Sequence, residues 1–269
     1  MTGSPLSPIS VLNTANIPAL RAPETAEEVA RVITENPLAD GFDAEAVFAS
    51  GARRVIVRSG WIGEEAEGDI FPASFRTWTV EGWRRFEEAC RALANAARAA
   101  GAELILWPHH RHVLSDPQAC MTLLKRWGDQ GEAPPFRLLI EPAAFLTHGM
   151  LAAAEDHLRR AFESLTHPES VARRHVAAVV LSGVEPAASI HADAADPELV
   201  PAPLGTGVLD PRLLLTPFAR LTDPALPVVL RDPGAADQAR TLPERRPEPR
   251  GRGADGDGGG AGAPAGLGS

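Results

Sequence analysis

The chain has 269 residues, 44% of them hydrophobic, with 35 acidic against 26 basic side chains and a formal net charge of −9. That length and composition suffice to bury one large core, which excludes the polar, unfoldable class of sequences. The negative balance disfavours nonspecific nucleic-acid binding, and no run approaches the ~18 apolar residues of a membrane span.

The start, Met1 to Ala19, has neither the basic beginning nor the apolar centre of a signal peptide, so a cytoplasmic protein is expected. Ile9 to Leu12 is expected to form a first strand, and Thr25 to Thr34 a helix through Val29 and Ile33. Arg54 to Val57 is a short strand ending at Arg58-Ser59-Gly60. Trp83, Phe86, Cys90, Leu93, Ala94 and Ala97 then recur at helical spacing, predicting a helix over residues 80 to 100.

Next comes GAELILWPHHRH, Gly101 to His112, in which an unbroken apolar run ends at Pro108 and three histidines. Such a run is the pattern of a parallel strand covered on both faces, and the proline forbids further ladder pairing. Ser115-Asp116-Pro117 supplies a helix start with proline at the first helical position, and Cys120, Leu123, Leu124 and Trp127 mark that helix's buried stripe. The two cysteines, Cys90 and Cys120, thus fall on apolar helix positions and belong to the core, not to a disulfide framework.

A third unit follows. Phe136 to Ile140 is a strand ending at Glu141-Pro142, and Leu151, Ala154, Leu158, Ala161, Phe162 and Leu165 lie on one helical face. Val176 to Leu181 is a strand ending at Ser182-Gly183, followed by a long acidic loop holding Glu185, His191 and Asp193. After Gly205-Thr206-Gly207, Asp210-Pro211 starts a helix carrying Leu214, Phe218 and Leu221, and Pro227 to Leu230 is a last strand. Repeated strand and helix alternation argues for parallel βα units. From Pro233 the chain turns to Gly, Pro, Ala and Arg without hydrophobic period, so residues 1–232 are expected to form one domain and 233–269 a disordered tail.

The order of these segments resembles the xylose isomerase-like TIM barrels, a group of sugar phosphate isomerases and epimerases. The resemblance runs from Phe42 to Asp232 and rests on EEACRALANAARAAGAELILWPHH, LLIEP, VVLSGV, and PLGTGVLDPRLLL leading to VVLRD. It implies an α/β TIM barrel, short of strand-helix units at its N-terminus because too little chain precedes Arg54. It also implies a divalent metal, Mn²⁺, Zn²⁺ or Co²⁺, at the C-terminal strand ends, polarising a carbonyl and its neighbouring hydroxyl while a carboxylate moves a proton between adjacent carbons.

The chain departs from that pattern at the ligand positions. Trp107 stands where the family has Glu before Pro-His, Glu141 is followed by Ala143 and Ala144 in place of a companion His, Ser182-Gly183 occupies the strand end that usually bears His-x-Lys-Asp, and Arg231 replaces the last Glu. Only Glu141 of the implied metal set retains a ligand side chain, and a guanidinium repels a cation.

Two functions from different classes follow. The first is a sugar or sugar phosphate isomerase or epimerase, with Glu141 as base or remaining metal ligand and His109 as pocket acid or orienting donor. In the second, a noncatalytic barrel that has lost its metal set binds a small molecule or is inactive. Under either, Trp61 and Trp107 are candidate walls against a sugar ring, His110 and Arg231 candidate contacts to a polar or anionic group, and the partner a small carbohydrate-like molecule with neither nucleic acid nor membrane. His110 and His112 have solvated loop positions as their competing reading, Trp61 ordinary loop packing, and Glu141 an ion pair with Arg231 or Arg58.

Overall fold

The computed structural model describes residues 9–12, 20–21, 30–63, 73–131, 133–187 and 198–230. Its strands are β1 (Ile9–Leu12), β2 (Leu20–Arg21), β3 (Ala30–Ile33), β4 (Arg54–Arg58), β5 (Glu103–Trp107), β6 (Phe136–Ile140), β7 (Val176–Leu181), β8 (Gly183–Pro186), β9 (Leu199–Ala202) and β10 (Val228–Leu230). The helices are α1 (Ala44–Phe48), α2 (Val80–Ala100), α3 (Pro117–Asp129), α4 (Ala154–Leu165) and α5 (Pro211–Leu221).

Eight strands close into a barrel in the order β1, β10, β7, β6, β5, β4, β3, β2. Seven of them run parallel around the ring, from β3 through β4, β5, β6, β7 and β10 to β1. The two-residue β2 closes the gap between β1 and β3 antiparallel to both. Where strand-helix units were expected to be missing at the N-terminus, the ring is instead closed by one short reversed strand. β8 and β9 form a separate antiparallel hairpin after β7, inside the stretch expected as loop.

The helices form where the apolar period and the caps place them. α2 buries Phe86, Cys90, Leu93, Ala94 and Ala97 and ends at Gly101, whose φ of 63° is the left-handed cap that glycine adopts without steric cost. α3 begins at Asp116, whose carboxylate accepts from Ala119 N at 2.8 Å, with Pro117 in the first turn. α5 begins the same way, Asp210 accepting from Arg212 N at 2.9 Å. Each helix lays its stripe on the outward side chains of the strands, where Val55, Val57, Leu104, Leu106, Leu138, Ile140 and Val179 complete the main core. Burying a side chain of that size contributes about 1.5–3 kcal/mol, so this layer supplies most of the drive to fold.

One expected element is corrected. Thr25 to Thr34 was expected as a helix, but Ala30–Ile33 is a strand paired in register with Arg54–Val57 of β4. Ala30 and Val32 face the barrel interior while Ile33 joins the helix-side core. Alternating burial on a ladder outweighs the helical propensity of the alanines, because tertiary pairing overrides a weak local preference. The second half of the fold follows the sequence closely, except that α4 is entered through two 3₁₀ turns, Pro142–Phe145 and His148–Ala153. No helix of the described residues is long and apolar enough to cross a membrane.

The barrel interior is filled in layers. Its middle is Ala30, Val32, Ile56, Ile105, Leu139, Ala178, Val180 and Val229. Two residues earlier on three neighbouring strands stand Arg54, Glu103 and Arg137, where Arg54 Nε lies 3.1 Å and Arg137 Nη1 3.3 Å from the Glu103 carboxylate. These ions close the N-terminal end of the barrel. Two residues later on four strands stand Arg58, Trp107, Glu141 and Ser182, at the opposite end.

Candidate functional site at the barrel mouth

In barrels of this kind the C-terminal strand ends carry the chemistry, since the loops that follow them converge there. Here four inward positions are linked into one chain of contacts. Arg58 Cζ lies 3.9 Å from the centroid of the Trp107 ring, a stacked cation on an indole face. The Trp107 indole N–H donates to Glu141 Oε2 at 3.1 Å, and the Ser182 hydroxyl donates to Glu141 Oε1 at 2.7 Å. Trp107 and Glu141 are each 1% exposed and Ser182 is fully buried. A carboxylate removed from water needs its oxygens satisfied, and these two donors satisfy one each.

Above this layer the loops after β4 and β5 are sewn together. Val113 N donates to Gly60 O at 2.9 Å, and His109 N to Leu114 O at 3.2 Å. Asn36, just past β3, accepts from Trp61 N at 3.1 Å and donates through Nδ2 to Trp61 O at 2.8 Å. Gly60 has φ +72°, and a Cβ there would lie 2.7 Å from Leu38 Cγ, so both its torsion and its neighbours require glycine. Trp61 is thereby fixed with its ring stacked on His112, centroids 5.2 Å apart at 18°.

The three histidines form a packed group. The ring of His109 sits 4.3 Å from that of His110 and 5.1 Å from that of His112. His109 Nδ1 accepts from Arg111 N at 3.2 Å, and His110 Nδ1 lies 3.1 Å from Ala144 O. The reading of His110 and His112 as solvated loop residues is corrected: His112 is fully buried and His110 half-buried. The apolar contacts of Trp61, Val113 and the strand ends draw that loop inward. Burial, with the positive charge of Arg58 as the second cause and His110 as a third, holds the His112 imidazole well below its usual range, so it stays neutral.

The sequence-expected site residues thus separate. Glu141 and Trp107 are brought into direct hydrogen bonding, and Trp107 is an interior side chain in contact with Arg58 rather than an open wall for a sugar ring. His109 is 1% exposed, packed between its neighbours. Trp61 is half-buried and lines a cavity of about 790 Å³ beside the mouth. Arg231, like His191 and Asp193, lies outside the described residues.

Sequence reasoning missed how Arg58, Ser182 and Asn36 act. A signal for the first two was present: Arg58, Trp107, Glu141 and Ser182 each follow an apolar residue, Ile56, Ile105, Leu139 and Val180, by two positions. Side chains two apart on a strand share a face, so an interior hydrophobe marks the inward polar residue above it.

Tested against a divalent ion, this donor set does not fit. The Glu141 carboxylate has a hydrogen-bond donor on each oxygen, and a guanidinium lies against the indole that contacts it. A cation placed on Glu141 would face the charge of Arg58 and find no cluster of carboxylates and imidazoles gathered with it among the described residues. Among the described residues no group of three or more His, Cys, Asp or Glu side chains is gathered as a metal site. A larger cleft of about 1440 Å³, lined by Met121, Lys125, Glu163 and His175 among others, lies between α3 and α4 toward the N-terminal strand ends, away from the mouth.

No protein-family model matches the chain, and no curated protein matches it significantly. Solved structures do. The chain is similar to 3-keto-D-glucoside 4-epimerase from E. coli at 16% identity and a TM-score of 0.41, covering 74% of this chain and 66% of that one. It is similar to a xylose isomerase-like TIM barrel protein from Mycobacterium smegmatis in complex with magnesium at 11% identity and TM-score 0.40, covering 69% and 56%. It is also similar to D-allulose 3-epimerase from Methylomonas sp. at 13% identity and TM-score 0.38, covering 76% and 60%. The chain spans between 56% and 66% of the length of these three structures. At these identities the likeness is one of fold.

Proposed function

We propose that this protein is a small-molecule-binding barrel of the sugar isomerase and epimerase type in which metal-dependent proton transfer has been given up. The observation that carries the reading is the buried Glu141 carboxylate, held by Trp107 Nε1 on one oxygen and Ser182 Oγ on the other. An ancestral ligand position has become a hydrogen-bonded closure of the barrel mouth. Glu141 accepts from a protein donor on each oxygen, and no cluster of metal ligands is gathered around it among the described residues. With the axis filled by the Trp107 indole, a carbohydrate-like ligand binds beside it, where Trp61 and Arg58 line a cavity. Neither nucleic acid nor a membrane is a partner on this reading.

The test is metal binding by calorimetry and elemental analysis on the chelator-treated full chain, with Mn²⁺, Zn²⁺ and Co²⁺ in turn. The expected result is no stoichiometric ion, together with loss of stability in Glu141→Ala. One tightly bound ion that disappears with Glu141→Ala overturns the reading and restores a metal-dependent isomerase site.

A further inference from the structure

The loop after β5 fastens the mouth together, and we propose that it is an acid-operated clasp: a proton on His112 releases His109–His112 while the barrel stays folded. The switch belongs to the free chain and is independent of the binding reading above. Its consequence reaches the side cavity, because His112 is the stacking partner of Trp61, which lines that cavity. The wall is firm at neutral pH and loosened by acid.

The segment is tied to three other parts of the mouth. His110 N donates to Ala144 O at 2.9 Å, in the 3₁₀ turn after β6, and the Trp78 indole N–H donates to His112 O at 3.1 Å. Arg111 Nη2 lies 3.6 Å from Glu198 Oε2, just before β9. Pro108 on one side cannot extend the β5 ladder, and on the other Val113 sits in the main core with its N–H on Gly60 O. These ties join mouth segments to one another and include no bond of the β4 to β7 ladder, so they part without unpairing the barrel.

The surroundings of His112 suit a neutral ring. It is fully buried, with His109 5.1 Å away between centroids and His110 4.3 Å beyond His109. Burial, then Arg58 from β4 and His110 from its own loop, oppose a proton on it, and a hydrogen bond with the Trp107 backbone works the other way. The other charges around it have partners of their own. Arg111 faces Glu198, Arg76 of the 3₁₀ turn Phe75–Trp78 pairs with Glu81 at 2.6 Å, and Glu141 on β6 accepts from Trp107 and Ser182. Once in water the same imidazole takes a proton near pH ~6.5, so each pH unit below that favours the open clasp about tenfold more.

The experiment is native-state hydrogen exchange of the full chain by NMR across the acid range, in water and in low urea, corrected for intrinsic exchange rates. The His110 and His112 amides and the Trp78 indole N–H report on the clasp, and the Ile105 and Leu139 amides on the barrel. Clasp opening is expected to be level above pH ~6.5 and to rise at least about tenfold per unit below it, with little urea dependence, while the barrel amides stay more protected throughout. His112→Phe, which keeps a ring against Trp61, should remove about tenfold per unit from that rise. Glu198→Gln leaves the imidazoles in place and should raise opening several-fold at every pH with the rise retained, so it reports even where His112→Phe fails to fold. Clasp protons that share the urea dependence of the barrel amides, opening that stays level into acid, a rise undiminished in folded His112→Phe, or Glu198→Gln without effect each overturns the proposal.

Discussion

The indole N–H of Trp107 meets Glu141 Oε2 at 3.1 Å between neighbouring strands β5 and β6, with both residues 1% exposed at the top of the barrel interior. The pair couples the inward strand ends of two neighbouring strands at the barrel mouth. Losing the donor while retaining the buried acceptor carries the full desolvation cost of that acceptor.

Trp107→Phe keeps the ring and removes the donor. Stability should fall by about 1–3 kcal/mol, and Ser182→Ala should do the same through the other oxygen. In the double variant Trp107→Phe with Glu141→Leu, both partners are gone and part of the loss should return. Urea midpoints of the singles and the double decide this; losses that simply add would mean that the two residues are not coupled.

Stability should fall on acidification below pH ~6.5, and His112 should account for one proton of that slope. The folded state keeps this imidazole neutral because burial and Arg58 depress its protonation. The unfolded chain takes up the proton near pH ~6.5, so unfolding binds a proton below that point and is favoured by about 1.4 kcal/mol per pH unit. Above pH ~6.5 both states are neutral at this site and it contributes no pH dependence. His112→Phe preserves an aromatic partner for Trp61 and should flatten the acid limb by that amount; an unchanged slope between pH 4.5 and 6.5 would refute it.

The hairpin after β7 should hang on Gly207. Its φ is +80°, and a Cβ there would stand 2.0 Å from Val184 O, the oxygen that accepts from Val208 N at 2.8 Å. Gly207→Ala is expected to cost more than about 2 kcal/mol through torsion and clash together. Gly205, at φ +88° with nothing within 4 Å of such a Cβ, is the internal comparison: Gly205→Ala should cost only the left-handed penalty of about 1–2 kcal/mol. Thermal midpoints that rank the two variants the other way would show that the hairpin tolerates the displacement.

Cys90 and Cys120 are both fully buried, and burial raises their thiols far above the usual range, with the charges of Glu87 and Asp116 adding in the same sense. A thiol-specific reagent should therefore label neither in the native protein at pH 8, and labelling should follow unfolding. Fast labelling of either cysteine under native conditions would mean that α2 or α3 opens separately from the barrel.

The order of strands β4 to β7 and β10, the caps of α3 and α5, and the stripes of α2, α3 and α4 were all written locally. Apolar period, proline and aspartate act within a few residues, so their effect is visible without the fold. The place of Glu141 as an acidic strand end was visible for the same reason. What it touches was not, because the partners Trp107 and Ser182 arrive from two other strands, 34 and 41 residues away. Local pattern also misassigned Ala30–Ile33, whose strand character comes from pairing with β4, and left His112 in solvent, where the packing of Trp61 across the neighbouring loop draws it inside. Sequence by itself determined which residues stand at the barrel mouth, since that depends on position along each strand. Only the tertiary structure decided their chemistry, since a carboxylate becomes a ligand, a base or a structural acceptor according to the donors that reach it through space.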